Sequence, residues 1–375
     1  MGNCDIKFVN KEITPFGGLS LFFKMLERCH FDEHLEQSGI PVQGSNRGYK
    51  PLQLILGLFA GVWCGASCFG HLDVVRYDTA LCKLLGWERG ADHRAYQRYF
   101  NKFSQAVNQR VFGELFSWFF SELLFDNYTL DFDSTVMVRE GNQDGAVKGY
   151  NPKRPGRPSH HPLLAFVSDI RMIANYWLRP GNTVSSSNYL SFLEDTLSRL
   201  RNKTVGLIRM DSGFFTKEIL DHLEDKHLNY IIACRFNNRI KYSLTHEHAW
   251  VEVVEGLEIS ETTYKADSWD KPRRIVMVRQ EIEKRPQAAG KRVRQLELFE
   301  DGNDFGRYRY SCFVTNLGLP AKIVYDSYRG RADSENRIKE LKYDFSIDDF
   351  ATNNFWATEA CGGFIVMAYN FMSLF

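Results

Sequence analysis

The stretch YTLDFDSTVMV, residues 128–138, is where the periodicity of the chain changes. Apolar and polar residues alternate along it, which is typical of a β-strand. Residues 1–125 instead carry apolar residues at helical spacing, as in RVFGELFSWFFSELLF. The sequence therefore predicts a mostly helical N-terminal domain, followed by a fold that contains β-strands.

Strands and amphipathic helices then follow in a definite order. LLAFVSDI and MIANYWLR predict two further strands, and SNYLSFLEDTLSRL predicts a helix. The remaining segments are a strand, a helix and a strand, in that order: TVGLIRM, FTKEILDHLEDKH and NYIIACRF. This succession matches a mixed α/β layer of the ribonuclease-H-like type. We therefore predict an α/β fold whose ribonuclease-H-like core begins over residues 126–237.

The rest of the chain divides into two parts. Over residues 238–316, strand-like pieces such as RRIVMVRQEI alternate with charged turns, which predicts a β-rich insertion. Residues 317–375 then complete the core. They end in the apolar run AYNFMSLF without a polar cap, so we expect a chain truncated at its C-terminus.

Composition limits the class of protein. A chain of 375 residues with 44% hydrophobic and 25% charged residues is an ordinary globular protein. Its net charge of +1 excludes a global basic field, so any DNA binding must rely on local patches. The cysteines lack a disulfide framework, no secretory signal is present, and the apolar run 54–70 is short and interrupted by glycines. These features predict a cytoplasmic protein that does not enter a membrane.

Two carboxylates share the first predicted strand. Asp131 and Asp133 are two positions apart, so both point to one face while Phe132 points to the other. Adjacent carboxylates repel one another unless a cation lies between them. This favours a metal site over a simple surface pair.

A third acidic residue follows a second apolar strand, in GLIRMDSGFF, residues 206–215. Asp211 at the end of a buried strand would stand where α/β sheets open a crevice for ligands. The alternative is that Asp211 caps a following helix. The local sequence does not decide between the two.

The segment YRGRADSENRIKELK, residues 328–342, sets an aromatic residue, two cations and a carboxylate on one helical stripe. At 3.6 residues per turn, these residues fall within about 60° of one face; they are Tyr328, Arg331, Glu335 and Lys342. Such a stripe suits a metal ion flanked by a phosphate backbone. The alternative is a solvated helix in which Glu335 pairs with Arg331.

The spacing Y-(2)-R-(3)-E-(6)-K resembles the signature around the third acidic residue of DDE transposases from bacterial insertion sequences. YTLDFDST and GLIRMDSGFF resemble the two earlier motifs, and the resemblance runs from about residue 128 to about residue 370. It implies that Asp133, Asp211 and Glu335 are the catalytic residues and metal ligands. Asp133 is selected over Asp131 because a small hydroxyl residue and a threonine follow it. Three carboxylates imply two Mg²⁺ or Mn²⁺ ions, which prefer oxygen ligands.

The resemblance also implies a function. It predicts a DNA transposase that binds terminal inverted repeats, cleaves strands and transfers them to target DNA, as a homodimer or higher assembly on DNA. The helical residues 1–125 would bind DNA. Two alternatives remain open: a truncated, inactive transposase that only binds DNA, and a related ribonuclease-H-like nuclease.

Two further segments could contact DNA. GYNPKRPGRPSHHP, residues 149–162, sets Lys153, Arg154 and Arg157 among prolines and glycines, where the cations could clamp a phosphate backbone. SWDKPRR places Trp269 beside cations, an arrangement that can stack an unpaired base. The alternatives are a solvated basic hairpin for the first segment and a core tryptophan for the second.

Overall fold

The computed structural model describes residues 10–44, 48–152, 154–246, 250–281 and 308–375. Within these ranges, seven helices precede the first strand: α1 (Leu19–Arg28), α2 (Phe31–Gln37), α3 (Pro51–Trp63), α4 (Asp73–Tyr77), α5 (Thr79–Leu84), α6 (His93–Phe100) and α7 (Gln105–Ser121). The helical character predicted for this region is therefore observed. No helix of the described ranges has the length and apolar character needed to cross a bilayer.

Side-chain caps fix where several of these helices begin. Asp92 accepts a hydrogen bond from the Ala95 amide at 2.7 Å, and Ser104 caps α7 in the same way. Residues 85–92 join α5 to α6.

The predicted α/β layer contains five strands and two helices in the expected order: β1 (Tyr128–Ser134), β5 (Leu163–Val167), β6 (Met172–Trp177), α8 (Tyr189–Leu200), β7 (Val205–Met210), α9 (Lys217–Asp225) and β8 (Tyr230–Ala233). A small separate sheet lies between β1 and β5 in the chain: β2 (Met137–Val138), β3 (Val147–Lys148) and β4 (Pro158–His160). The basic loop 149–157 thus joins two strands of this small sheet and not strands of the large sheet.

The β-rich segment extends the same large sheet. Its elements are α10 (Asn238–His246), β9 (Val251–Val254), β10 (Leu257–Tyr264), β11 (Arg273–Glu281) and β12 (Tyr308–Thr315). The sheet has the order β6-β5-β1-β7-β8-β12-β11-β10-β9, with β1 parallel to β7 and β7 parallel to β8. Strand β5 runs antiparallel to β1, and β6 runs antiparallel to β5. This arrangement of β6, β5, β1, β7 and β8 is ribonuclease-H-like, which confirms the predicted fold class.

Three helices complete the chain: α11 (Ala321–Arg329), α12 (Ala332–Tyr343) and α13 (Phe355–Leu374). Helix α11 covers the far half of the sheet, where Val324 joins a small apolar cluster with Val276 and Phe313. The larger core runs without interruption from Leu19 in α1 to Phe371 in α13. The helical region and the sheet therefore share one core.

Helix α13 closes one edge of the sheet with polar side chains. Asn370 accepts from the Ile173 amide at 2.8 Å and donates to the Ile173 carbonyl at 2.9 Å. Glu359, three turns earlier, accepts from the Leu178 amide at 3.0 Å and from Asn108 at 2.8 Å. An unpaired edge strand presents free backbone groups, and here a helix satisfies several of those of β6 and of the residue that follows it.

We predict that Glu359 makes the stability of the fold depend on pH. Burial raises the pKa of Glu359 to about 7, above its ordinary value of 4.5, against the opposing hydrogen bonds from Asn108 and Leu178. The protonated group therefore stabilises the fold fully below its unfolded pKa, and this contribution is lost as the pH rises through about 7. The parent should therefore lose stability between about pH 5 and about pH 8, whereas Glu359→Gln should not. The difference in unfolding free energy, variant minus parent, should rise by about 2 kcal/mol over this range.

Urea unfolding at the two pH values measures this change, and any constant cost of the glutamine cancels in the comparison. Glu122→Gln, at an exposed position, is the matched control and should follow the parent. A Glu359→Gln variant that also follows the parent would contradict the prediction.

Candidate active site

The two aspartates implied by the resemblance lie at the carboxyl ends of neighbouring strands. In the parallel pair of β1 and β7, Phe132 stands opposite Met210. Asp133 and Asp211 are the next residue on each strand, so both lie at the same edge of the sheet. Buried flanking residues hold the two strands in place, since Phe132 and Met210 are fully buried. This edge is where open α/β sheets bind ligands.

Asp133 lies in a buried, strongly charged environment. Its Oδ2 is 2.9 Å from Nη2 of Arg331, and its Oδ1 accepts from the Ser134 amide at 2.8 Å. Burial raises the pKa of Asp133 to about 6; Arg331 and the Ser134 amide oppose this shift, whereas the charges of Asp211 and Glu335 add to it. Asp133 therefore lies within electrostatic range of both other predicted carboxylates.

Asp211 caps a short helix and also borders the site. Its Oδ1 accepts from the Gly213 amide at 2.8 Å, at the start of a 3₁₀ turn over Ser212–Phe214. A Cβ atom on Gly213 would stand 2.9 Å from that Oδ1 and 2.8 Å from Oγ of Ser185. The two interpretations of Asp211 are thus compatible, because the cap fixes the orientation of a carboxylate at the strand end.

Ser185 was not considered from the sequence. Its hydroxyl is 2.9 Å from the hydroxyl of Ser134, the residue next to Asp133. The loop that carries it is tied down on both sides: Nδ1 of His161 donates to the Thr183 carbonyl at 2.7 Å, and Arg179 donates to further carbonyls of the loop. This loop brings Ser185 beside the ends of β1 and β7. Its sequence, TVSSS, has no pattern that would have revealed this position.

Glu335 lies in the first turn of α12 and is exposed to solvent. The predicted helix is interrupted, because α11 ends at Arg329 and α12 begins at Ala332, although the two residues between them keep helical dihedral angles. Tyr328 therefore belongs to a different helix from Glu335. Its ring packs against Phe313 with centroids 4.4 Å apart, and burial, with the nearby aspartates, raises the pKa of Tyr328 to about 12.

A second ion pair lies directly behind the site. Nε and Nη2 of Arg209 donate to the two carboxylate oxygens of Asp131 at 2.6 and 2.7 Å, and the two residues are 5% and 1% exposed. They stand opposite one another on β7 and β1. The cation beside Asp131 is thus an arginine and not a metal ion. The sequence contained a signal for it, since a charged residue inside the buried run GLIRM needs a partner.

Arg209 also joins the sheet to α11, the helix that precedes the one carrying Glu335. Its Nη2 donates to Oγ of Ser168 at 2.8 Å, and its Nη1 donates to the Ser327 carbonyl in α11. A Cβ atom on Gly330 would lie 2.6 Å from Nη1 of Arg209. Glycine at this position therefore lets the turn between α11 and α12 approach the guanidinium closely.

Three residues predicted to contact DNA are engaged inside the protein. Arg331 is 6% exposed and pairs with Asp133. Nζ of Lys342 donates to the Val136 carbonyl at 2.6 Å and lies 4.0 Å from Asp348. Trp269 is 5% exposed, with its ring against Phe215, Tyr264 and Arg273. The predicted stacking of a base on Trp269 is wrong for this structure, and Arg331 and Lys342 contact the protein instead of presenting free cations.

The basic loop has the opposite character. Arg157 is exposed, and Arg154 makes only an exposed ion pair with Glu140 at 3.4 Å, a type that contributes little. Lys153 lies outside the described residues. The two described arginines are therefore open to solvent at the small sheet.

The donor set suits a hard divalent cation, because all three side chains are carboxylates. The donor chemistry alone does not show whether the three side chains surround an ion. Among the residues that the structure describes, no three His, Cys, Asp or Glu side chains are arranged to hold a metal ion. The positive charge in contact with Asp133 is the guanidinium of Arg331. The three carboxylates thus have the chemistry of a metal site, but in this structure they do not converge around one ion position.

We predict that the Arg209–Asp131 pair is required for stability. Arg209→Met leaves a buried carboxylate without its counterion, which should cost about 3–5 kcal/mol of unfolding free energy. The double variant Arg209→Met, Asp131→Asn should recover part of this loss. Arg201→Met is the matched control, since Arg201 and Glu114 are about 60% exposed and 3.4 Å apart, and it should cost about 1 kcal/mol or less. Equal losses for the two arginines in urea unfolding would contradict the prediction.

The chain was also compared with known proteins. The chain matches none of the curated proteins in sequence. A solved piggyBac transposase synaptic complex with hairpin DNA is 12% identical, covers 93% of this chain and 74% of its own, and gives a TM-score of 0.47. Two Mos1 transposase paired-end complexes, one with the left transposon end and one with Mn, are 18% and 16% identical. They cover 55% and 59% of this chain and 66% and 68% of their own, with TM-scores of 0.21 and 0.20.

The family assignment rests on a stronger match than these structural likenesses. The sequence model of the family described as "Transposase DDE domain group 1" matches residues 3–375, which is nearly the whole chain. The chain therefore belongs to the DDE transposases, in the group 1 DDE domain family.

Proposed function

We propose that this transposase belongs to a bacterial insertion sequence, binds its terminal inverted repeats, and cleaves and transfers DNA strands at Asp133, Asp211 and Glu335. The observation that supports this most directly is electrostatic. The charges of Asp211 and Glu335 both act on Asp133, although the three residues come from separate parts of the chain. Such a concentration of like charge around a buried carboxylate is typical of a functional site.

The proposed cofactor is Mg²⁺ or Mn²⁺, with two ions held by these three carboxylates. When bound, two such ions activate the attacking oxygen and stabilise the leaving oxygen of a phosphoryl transfer. The two neighbouring alternatives, an inactive DNA-binding relic and a nuclease, share the fold. Intact carboxylates do not favour the relic, and strand transfer separates a transposase from a nuclease.

The side chains of the chain itself would orient the reaction. The Gly213 amide fixes one oxygen of Asp211, and the Ser134 amide fixes one oxygen of Asp133. The Ser134 and Ser185 hydroxyls lie beside the two strand ends, where they would hydrogen-bond to a phosphate or to the attacking hydroxyl. The burial of Asp133 would keep water out of one side of the site.

DNA would enter from the surface that carries exposed cations. Arg154 and Arg157 are exposed, and Lys153 lies between the same two small strands in the sequence. We propose that this loop neutralises phosphates, that residues 1–125 help to bind the element ends, and that two or more copies assemble on DNA. Tyr328, half-buried near the aspartates, is a further candidate contact. We also propose a cytoplasmic location, because the described cysteines are all free thiols.

The decisive test is Glu335→Gln, which removes one charge from the site and keeps the shape of the side chain. DNA carrying the ends of the element that encodes this chain should be bound normally and cleaved at least about a hundredfold more slowly in Mg²⁺, since a direct ligand should matter more than an outer partner. Asp333→Asn is the matched control, because Asp333 lies in the same helical turn but pairs with Arg337. Parental cleavage by Glu335→Gln would refute the assignment.

We further predict that Gly213→Ala damages catalysis more than stability. The added Cβ would fall within 3 Å of Oδ1 of Asp211 and of Oγ and Cβ of Ser185, so the Asp211 carboxylate must turn away and the loop that carries Ser185 must shift slightly. Cleavage should fall by about a hundredfold, as expected for a misplaced catalytic group, with a loss of about 1 kcal/mol or less in unfolding free energy. Gly318→Ala, where a Cβ meets no atom within 4 Å, is the control. Unchanged cleavage rates would show that the orientation of Asp211 does not depend on this glycine.

A further inference from the structure

Arg331 is positioned unlike a residue that receives DNA. Its side chain is 8% exposed, with Nη2 at 2.9 Å from Oδ2 of Asp133 and at 3.4 Å from the Phe132 carbonyl. It stands at the start of α12, one helical turn before Glu335. A phosphate could reach this guanidinium only after the ion pair with Asp133 had opened.

The surrounding charges show what Arg331 balances. The carboxylate of Asp131 is already paired with Arg209 through two hydrogen bonds. Burial lowers the pKa of Arg331, but the charges of Asp133, Tyr328 and Asp211 outweigh it and leave the pKa raised. Arg331 is therefore the cation that sits in the negative potential of the predicted catalytic residues.

The pairing is also incomplete. Nε of Arg331 is buried and has no hydrogen-bond partner among the described residues. A buried donor without a partner costs free energy, which lowers the cost of opening this pair. The Arg209–Asp131 pair behind it has no such defect at its Nε, which donates to Asp131.

We propose that Arg331 is the resident counterion of the catalytic carboxylates, which holds Asp133 in the free protein and competes with the divalent cation for it. This inference rests on the proposed function of the three carboxylates as metal ligands. A guanidinium and a divalent cation in contact with one carboxylate repel each other, so binding of the ion must displace or loosen the arginine. Arg331 would then set the metal affinity of the free protein and become available for another contact only when metal is bound.

The test is a titration of the purified full chain with Mn²⁺ in the absence of DNA, with free Mn²⁺ followed by electron paramagnetic resonance. Arg331→Gln removes the competing charge, so its Mn²⁺ affinity should be at least about tenfold higher than that of the parent. Arg331→Lys keeps the charge with a single-point contact in place of the planar guanidinium, so its affinity should lie between the two. Arg337→Gln, in the same helix but paired with Asp333 and Glu340, is the matched control and should bind Mn²⁺ like the parent.

A second readout keeps the test independent of catalysis. Without metal, Arg331→Gln should unfold at a lower temperature than the parent, and saturating Mn²⁺ should raise its midpoint by more than it raises that of the parent. Equal or weaker Mn²⁺ binding by either folded Arg331 variant overturns the proposal. So does the outcome expected of a phosphate contact, in which the salt dependence of DNA binding falls by about one unit and Mn²⁺ affinity is unchanged.

Asp133→Asn separates this proposal from the proposed function. If Asp133→Asn binds Mn²⁺ as well as the parent does, the carboxylate site itself is wrongly assigned. If Asp133→Asn loses Mn²⁺ binding while Arg331→Gln binds like the parent, the metal site stands and only the role of Arg331 is refuted.

Discussion

The buried ion pair between Arg209 and Asp131 is the interaction on which the arrangement of the site depends. Each partner is fixed on a central strand, and the same guanidinium reaches Ser168 beyond β5 and the Ser327 carbonyl in α11. One side chain thereby connects β1 and β7, at whose ends Asp133 and Asp211 lie, with α11, the helix that leads into the Glu335 helix. Gly330 makes this possible, because any side chain there would collide with Arg209.

Two arginine–aspartate ion pairs thus lie next to one another. They differ in how many nitrogen atoms of the arginine have hydrogen-bond partners. Arg209 uses all three of its nitrogen atoms for hydrogen bonds, as a buried charge requires. Arg331 has one direct contact with its aspartate and a buried Nε without a partner. The first pair is a permanent part of the fold. The second pair has fewer hydrogen bonds, and it lies at Asp133, the proposed catalytic residue.

The order of strands and helices in the catalytic layer could be predicted from the sequence, because periods of two and 3.6 residues are local properties. The strand-end positions of Asp133 and Asp211 followed from the same local patterns. The break between α11 and α12 could not be predicted in this way, since Gly330 and Arg331 both keep helical dihedral angles. A period-based argument sees one helix there.

The partners of single residues were equally hidden. Arg209 was visible as a charge in an apolar strand, but nothing near it in the sequence names Asp131 as its partner, 78 positions away. Trp269 and the cations beside it suggested a surface for bases, whereas the ring fills a space between Phe215 and Tyr264. Ser185 reaches the site only through the path of its loop. These contacts depend on tertiary packing, which a linear pattern does not contain.

Helix α13 covers the β6 edge of the large sheet, so an additional strand could pair only at the opposite edge. Asn370 and Glu359 occupy backbone groups that an additional strand would need, so no strand can be added on that side without removing the helix. Among the described strands, β9 ends the sheet at the other side, beyond β12, β11 and β10. A hairpin added to this sheet would therefore lie beyond β9, separated from β1 and β7 by β8, β12, β11 and β10.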